Sequence, residues 1–600
     1  MGKGRQNLSV ALLLLWVFTL TETQVTLAQQ PRKAGRLSRP GVVVQARGEV
    51  WPRPLNRSTG PGLILLDPGT FAFVFVGPPG GCDVADRALK RYRDRLLFGG
   101  CGGGGRRRPL GGAGAAVGSI SSLLVHLRGP CEHTPQHGMD EAYTLQLTAA
   151  SQPSLSANSV WGLLRGLETF SQVVYPYDGR QFVLNETVIY DSPRFQHRGL
   201  LIDTSRHFLP LKSIIQTLDA MAYNKMNVLH WHVTDDQSFP YVSRTFPTLS
   251  EKGAFDPETH VYKPADVQYI IDEAAVRGIR VMAEFDTPGH TRSWGEAYPD
   301  LLTTCYNGPV PNGRLGPVDP TRNESYAFLA HFFAEVARVF PDQYVHLGGD
   351  EVGFLCWMSN PNVTSFMRKM GFPMRFDKLE EYYIQRLLEI IQALRKSYMV
   401  WQEVFDNKVQ IAPDTVVHVW KQPQQLELAS VTAAGYRALL SACWYLDHIS
   451  YGSDWKKYYT CDPQDFAGLG RRRRPNVFGV PPLSRVRRRR RPGSRNSAAG
   501  CSGEASLLNL KTVPVSASVT TPFRKPWVSP DWLRNRKIDA WTSTRSTAGR
   551  WEDERRCFMC QDEPGRPTAY VKLSIQCFSV VTFCYQTSCL LPIKANHYLL

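Results

Sequence analysis

From about residue 195 onward, short apolar runs keep returning at intervals too wide for hairpins, and the stretches between them are amphipathic at helical spacing. The runs lie at 199–203, 227–232, 280–286, 344–351, 399–403, 416–420 and 438–444, and the segments between include "LKSIIQTLDAMAYNK", "PADVQYIIDEAAVRG" and "LEEYYIQRLLEIIQALRK". Parallel strands need a long crossover, usually a helix, so this alternation predicts a parallel β/α fold. Almost every run ends in charged, imidazole or indole side chains, as the working face of a (β/α)8 TIM-type barrel requires. Seven strands can be read, and the eighth does not appear where it is due. The barrel is expected to occupy residues 195–468.

Residues 40–190 read differently. β-type runs at 63–66 and 71–76 stand beside the helical "DVADRALKRYRDRLLF", a Gly/Arg-rich loop at 99–118, then "YTLQL" and the helical "SVWGLLRGLETFSQVV". Together they predict a small N-terminal α/β domain without a catalytic constellation. Residues 1–28 have the marks of a secretory signal peptide: Lys3 and Arg5, an apolar run at 10–20, and small-residue cleavage candidates near Thr26 and Ala28. No later run reaches the roughly 20 apolar residues of a transmembrane helix, so a soluble protein in an oxidising compartment is expected. The 13 cysteines and the glycosylation sequons at Asn56, Asn185, Asn323 and Asn362 agree with that compartment.

The net charge of +17 suggests nucleic acid until it is located. Residues 471–600 hold 24 Lys or Arg against 8 Asp or Glu, so all but +1 of it lies in a C-terminal tail that opens "RRRRPNVFGVPPLSRVRRRRR". The tail, 469–600, is expected to be a solvated, disordered segment or an aberrant one, with no nucleic-acid partner.

The expected strand ends supply Arg206; His230, His232, Asp235 and Asp236; Glu284, Asp286 and His290; His346, Asp350 and Glu351; Trp401 and Glu403; Trp420; and Trp444, Tyr445 and Asp447. Carboxylates, an arginine and several indoles on one face suit a sugar, because indole faces stack on a pyranose while Arg and Asp bind its hydroxyls. The pair in "HLGGDEV" poses a difficulty. Ordinary glycoside hydrolysis sets two carboxyls roughly 5.5 Å or more apart across the scissile bond, which chain neighbours cannot do. Successive side chains on a strand point to opposite faces, so the pair shares a pocket only where the strand ends and turns, which Gly348 and Gly349 permit.

"RGLLIDTSRHFLP", "NVLHWHVTDDQSFPY", "AEFDTPGHT", "HLGGDEV" and "VWQEVFDN", in that order, resemble the lysosomal β-hexosaminidases of glycoside hydrolase family 20, and the resemblance runs from about residue 45 to 467. "DDQSFPY" and "WYLDHISYG" look more like the β subunit than the α subunit. The resemblance implies a retaining exo-glycosidase, a β-N-acetylhexosaminidase, that removes terminal non-reducing β-linked N-acetylglucosamine or N-acetylgalactosamine. The substrate's own acetamido oxygen is then the nucleophile, forming an oxazolinium, so no second carboxylate need face the first. It implies Glu351 as general acid and then base, Asp350 on the acetamido nitrogen, and Tyr445 on the acetamido carbonyl with Trp401 and Trp420 as walls. It places Arg206 with Asp235 on the outer hydroxyls, Asp447 near the 6-hydroxyl and His290 beside the acid. A working acid needs a raised pKa, so burial of Glu351 beside other carboxylates is expected. The resemblance also implies disulfides Cys82–Cys131 and Cys305–Cys356, a homo- or hetero-dimer, a lysosomal location, N-acetylhexosamine-terminated glycans and glycolipids as substrates, and no cofactor.

Two rival readings stand beside it. "HWH" puts His230 and His232 on one side of a strand near Asp286 and His290, as a metal-dependent hydrolase would, but later strand ends offer mostly Trp and Glu rather than further ligands. The second rival is a glycan-binding homologue with impaired catalysis. The family's last strand carries a "GGEA" motif and a Trp-Gly-Glu triplet, whereas "SGEAS" at 502–506 lacks the strand and the Trp. The tail's β-type runs, "YVKLSIQCFSVVTFCYQ" and "LNLKTVPVSASVT", lack the Trp and Glu as well, and an open barrel leaves a half-exposed core, so the 600-residue chain is expected to fold poorly and to be nearly inactive. Cys101, Cys443, Cys461 and the six tail cysteines have no assigned partner, and "CFMC" has metal-ligand spacing without a companion pair. No metal is expected.

Overall fold

The computed structural model describes residues 48–97, 116–176, 182–446 and 455–467. The signal-peptide reading, Cys101, Asp447, the tail and any eighth strand lie outside the described residues.

Among the described residues, eight strands build the first domain: β1 (Asn56–Leu66), β2 (Ala72–Val76), β3 (Ala116–Ile120), β4 (Ser122–Leu127), β5 (Tyr143–Leu147), β6 (Ser154–Ala157), β7 (Tyr175–Pro176) and β8 (Phe182–Asp191). They form one mixed sheet in the order β2-β4-β6-β5-β8-β1-β3, with β7 on β8. The helix Val160–Val173, capped by Ser159 accepting from the Gly162 amide, buries Trp161, Leu163, Leu164, Leu167 and Phe170 against it. β3 begins inside the segment read as a Gly/Arg-rich loop, and β1 extends seven residues ahead of the apolar 63–66, because the "NRSTGPG" start pairs along β8 despite its polarity.

The second domain holds β9 (Gly199–Asp203), β10 (Val228–Thr234), β11 (Arg280–Phe285), an excursion hairpin of β12 (Leu302–Asn307) and β13 (Val310–Val318), then β14 (Tyr344–His346), β15 (Ser397–Trp401), β16 (Val416–Val419) and β17 (Arg437–Leu440). Apart from the hairpin they make a parallel sheet in the order β17-β16-β15-β14-β11-β10-β9, seven-stranded among the described residues. All seven expected strands are present. The run at 344–351 is strand only to His346: Leu347 still donates to the Met399 carbonyl, and the glycines after it turn the chain into a loop.

Alternation along these strands sorts side chains into layers. One face, with Leu200, Leu229, Trp231, Val281, Val345, Val400, Val417 and Leu440, packs on the helices. The other face starts with a separate apolar cluster, Val228, Met282, Tyr344, Met399, Val416 and Leu439. Two residues further along the same strands stand His230, Glu284, His346, Trp401 and His418, all buried. The strand ends lie beyond them. This is the stacked interior of a TIM-type barrel.

Buried charge joins the domains. Glu141 of the first domain accepts from Arg165 Nε (2.8 Å), from Arg198 of the second (2.6 and 2.9 Å) and from Asn227 Nδ2 (3.1 Å). Arg165 also donates to the carbonyls of Arg277 and Gly278. Burial would raise the pKa of Glu141, but the two arginines hold it below the usual carboxylate value.

Candidate active site

The loop after β14 sets the site. Gly348 and Gly349 have φ of 69° and 93°. A Cβ on Gly348 would fall 1.7 Å from Asp286 Oδ1, so only glycine fits. The Gly349 amide donates to that same oxygen at 2.8 Å, and the Gly348 carbonyl accepts from the Trp401 amide at 2.9 Å. The chain is thereby wedged between the ends of β11 and β15. Glu351 itself sits at φ 52°, a left-handed conformation costly for a non-glycine residue. This fans the two acids apart: the Asp350 side chain is 16% exposed and the Glu351 side chain 47%. Burial of Glu351 was expected and is not found; the turn that separates it from Asp350 aims it outward.

Around the pair, the ends of β9 to β11 supply charge. Arg206 lies between Asp203 Oδ2 (2.7 Å) and Asp235 Oδ2 (2.5 Å). Burial alone would lower the Arg206 pKa, but Asp203 and Asp235, with Asp350 behind them, raise it. His290, at φ 55°, has Nδ1 3.2 Å from Asp235 Oδ1 and Nε2 3.8 Å from Asp350 and 3.7 Å from Glu351. Against its burial, Asp235, with Asp286 and Asp350, holds His290 well above the ordinary imidazole value. Asp235, despite burial, is held below the carboxylate range by His290, His232 and Arg206. Asp286 goes the other way: burial first, then the charge of Asp350, pushes its carboxyl well above the ordinary value.

The ends of β15 to β17 supply rings. Trp401 is buried, Trp420 crosses it at 6.3 Å and 68°, and Tyr445 lies on Trp420 at 5.7 Å and 31°. Trp401 Nε1 donates to Glu284 Oε1 (2.8 Å) and Trp420 Nε1 to Glu403 Oε2 (2.9 Å). Of the sequence candidates, the structure gathers Arg206, Asp235, His290, Asp350, Glu351, Trp401, Trp420 and Tyr445 at one end of the sheet. It withholds others. Trp444 is in the core, donating to the Tyr458 carbonyl, and His230 and His346 are wholly buried in the layer of Trp401, beneath the charged strand ends.

Similarity to known proteins agrees with this geometry. The description of Glycosyl hydrolase family 20, catalytic domain, fits residues 195–470, and that of the beta-acetyl hexosaminidase like domain fits 50–173. The chain is 47% identical to beta-hexosaminidase subunit beta of Homo sapiens over 80% of this chain and 86% of that one.

The chain belongs to glycosyl hydrolase family 20.

It is also 51% identical to beta-hexosaminidase subunit alpha of Bos taurus over 70% of its own length and 80% of the relative's, so identity does not separate the two subunit types. Among solved structures, chitobiase of Flavobacterium johnsoniae superposes with a TM-score of 0.60 at 27% identity, over 72% of this chain and 64% of that one. Relatives this close, matched across both domains, favour the family 20 enzyme over a binding-only homologue. Of the residues in the metal-hydrolase reading, His232 lies between Glu284 (3.1 Å) and Asp235 (3.0 Å), and His290 lies against Asp235 (3.2 Å).

Disulfides join Cys82 to Cys131 and Cys305 to Cys356, the second bridging β12 to the helix just after Glu351. A third, Cys443–Cys461, had no expected partner and brackets the segment that carries Tyr445. Asn56, Asn323 and Asn362 are exposed, and Asn185 is half-buried with its Oδ1 accepting from Tyr175. Asp203 escaped the sequence reading of the pocket, and Glu284 and Glu403 stand in it only as strand-end residues without a role, whereas the structure makes them the acceptors of the two indoles. Their one signal was a carboxylate at or next to the end of an apolar run.

Proposed function

We propose that this family 20 protein is a β-N-acetylhexosaminidase that removes terminal, non-reducing N-acetylglucosamine or N-acetylgalactosamine with retention, using the substrate's acetamido group as nucleophile. The observation that carries the reading is Asp350, a carboxylate set against Asp286 and His290 with its side chain only 16% exposed, beside an outward-facing Glu351. A half-buried carboxylate at the pocket floor favours a ligand N–H within reach, and an acetamido N–H has the right polarity. A carboxylate there also favours the positive charge that develops as the carbonyl oxygen attacks the anomeric carbon.

In this mechanism Tyr445 donates to that carbonyl, and Trp401 and Trp420 hold the acetamido group folded under the ring. Arg206, with Asp235 behind it, binds the outer hydroxyls. Glu351 protonates the leaving oxygen and then takes a proton from water, while His290 lies within 4 Å of both acids. Asp447 is assigned to the 6-position, consistent with a β-type preference for neutral sugars. A lysosomal location after secretory entry, N-glycosylation at the four sequons and dimerisation belong to the same proposal. A thiazoline mimic of the oxazolinium is expected to inhibit tightly, and a substrate lacking the acetamido carbonyl to turn over barely. A covalent sugar trapped on any carboxylate overturns the mechanism.

A further inference from the structure

One side chain under the pocket touches both of its halves. Glu284, wholly buried on β11, accepts from Trp401 Nε1 through Oε1 at 2.8 Å. Its Oε2 lies 2.6 Å from His230 Nε2 and 3.1 Å from His232 Nδ1. The other nitrogen of His232 is 3.0 Å from Asp235 Oδ2, the oxygen that also meets Arg206 at 2.5 Å. Burial opposes charge on both partners, yet Glu284 is held well below the usual carboxylate range by His346, His232 and His230, and His232 well above the imidazole range by Glu284 and Asp235. With a carboxylate oxygen 3.0 Å from one ring nitrogen and 3.1 Å from the other, the His232 ring is constrained on both sides. An indole whose single N–H is committed to a buried carboxylate is constrained as well.

We propose that Glu284 is a positioning residue that sets the two halves of the sugar pocket in register, one oxygen fixing Trp401 at the acetamido side and the other fixing His232, and through it Asp235 and Arg206, at the hydroxyl side. The inference rests on the proposed function only in naming what each half binds. It differs from a purely structural role, in which Glu284 supports folding and the two halves respond to substitution independently.

Independence is measurable by a double-substitution cycle. Trp401→Phe removes the N–H and keeps a ring, and His232→Gln removes the imidazolium and keeps a donor. With Glu284 present, each should weaken N-acetylglucosamine binding in calorimetry. The double variant should weaken it by at least about fivefold less than the product of the singles. In Glu284→Gln the two effects should multiply. A control pair, Trp420→Phe with His232→Gln, should multiply in either background. A ligand-free readout stands beside it: the Nε1–H resonance of Trp401, assigned by its loss in Trp401→Phe, should shift on His232→Gln when Glu284 is intact. Effects of Trp401→Phe and His232→Gln that multiply within twofold, together with an unmoved indole resonance, overturn the proposal, and these variants decide even if Glu284→Gln does not fold. Absence of any N-acetylglucosamine binding by the parent protein would instead count against the proposed function, with the resonance still testing the coupling.

Discussion

Along the arc from β9 to β11, the candidate side chains touch opposite charge: Arg206 lies against Asp203 and Asp235, and His290 against Asp235. Along the arc from β15 to β17 the contacts are ring on ring, Trp401 on His418 at 4.1 Å, Trp420 across Trp401, and Tyr445 on Trp420. The charged arc has geometry set by directional bonds in a medium where an unpaired ion is very costly. The aromatic arc has a shape set by packing, with two indole N–H groups tied to Glu284 and Glu403. Substitution in the first should therefore be felt by any sugar. Substitution in the second should be felt where an acetamido group is present.

The largest effect should come from the loop between the arcs. Glu351→Gln is expected to slow hydrolysis of substrates with poor leaving groups by about a thousandfold, and that of activated aryl glycosides far less, because only the former need the proton. Equal losses on both would remove Glu351 from the acid role. Next, Arg206→Ala should cost about 2–5 kcal/mol in kcat/KM, since Asp203 and Asp235 lose their shared cation. Arg206→Lys should recover only part of this, a point charge replacing a fork. If a substrate with 2-hydroxyl in place of 2-acetamido is spared, the charged arc is not reading the outer hydroxyls. Tyr445→Phe should be milder, lowering kcat about tenfold with little change in KM and no effect on the 2-hydroxyl analogue. A matching loss on the analogue would merge the two arcs into one.

The smallest expected effect is on stability against pH, and its sign separates the arcs from the layer beneath them. His232 and His290 have raised folded pKa values, so their contribution is fully present below about pH 6.5 and is lost only as pH rises through those values. Asp235 and Glu284 have depressed values, so theirs is present above about pH 4 and is lost as pH falls further. His346 is pushed down to about 3, chiefly by burial, so the unfolded chain binds its proton first and stability falls as pH drops from about 6.5 towards 3. Between pH 6.5 and 4.5, His346 shares this loss with His137, His197 and His418, all pushed down chiefly by burial, and His346→Gln should lessen the slope of denaturant unfolding by on the order of 1 kcal/mol per pH unit. Affinity for N-acetylglucosamine should stay level over the same range. A slope unchanged in His346→Gln would move the acid sensitivity elsewhere.

How far these arcs could be read in advance follows from what periodicity encodes. Each of the seven strands announced itself, because in a β/α pattern an apolar run that ends abruptly in Asp, Glu, Arg or Trp marks a buried strand emerging at the working face. Depth did not. His230 and His346 share a strand face with the pocket residues, and nothing in the alternation says which step along the strand is floor and which is rim. Trp444 and Tyr445, adjacent and equally aromatic, went respectively to core and pocket because a short turn follows Leu440. Glu351 was expected inside for its chemistry, whereas its left-handed backbone turns it out. Cys443 and Cys461 flank a segment with no regular period, so only the folded chain brings them together.

Glu141 has a consequence for how such a protein can be inherited. Its buried carboxylate belongs to the first domain, yet Arg198 and Asn227 of the second complete its shell, while Arg165 of the first closes the Arg277 and Gly278 carbonyls of the second. A gene rearrangement with its breakpoint near residue 193 would deliver two fragments, each with an ion or carbonyl stripped of its mate. Shuffling the barrel alone onto a new neighbour is thereby penalised before selection on any activity begins. The two domains are held by buried side chains such as these as well as by the peptide that links them.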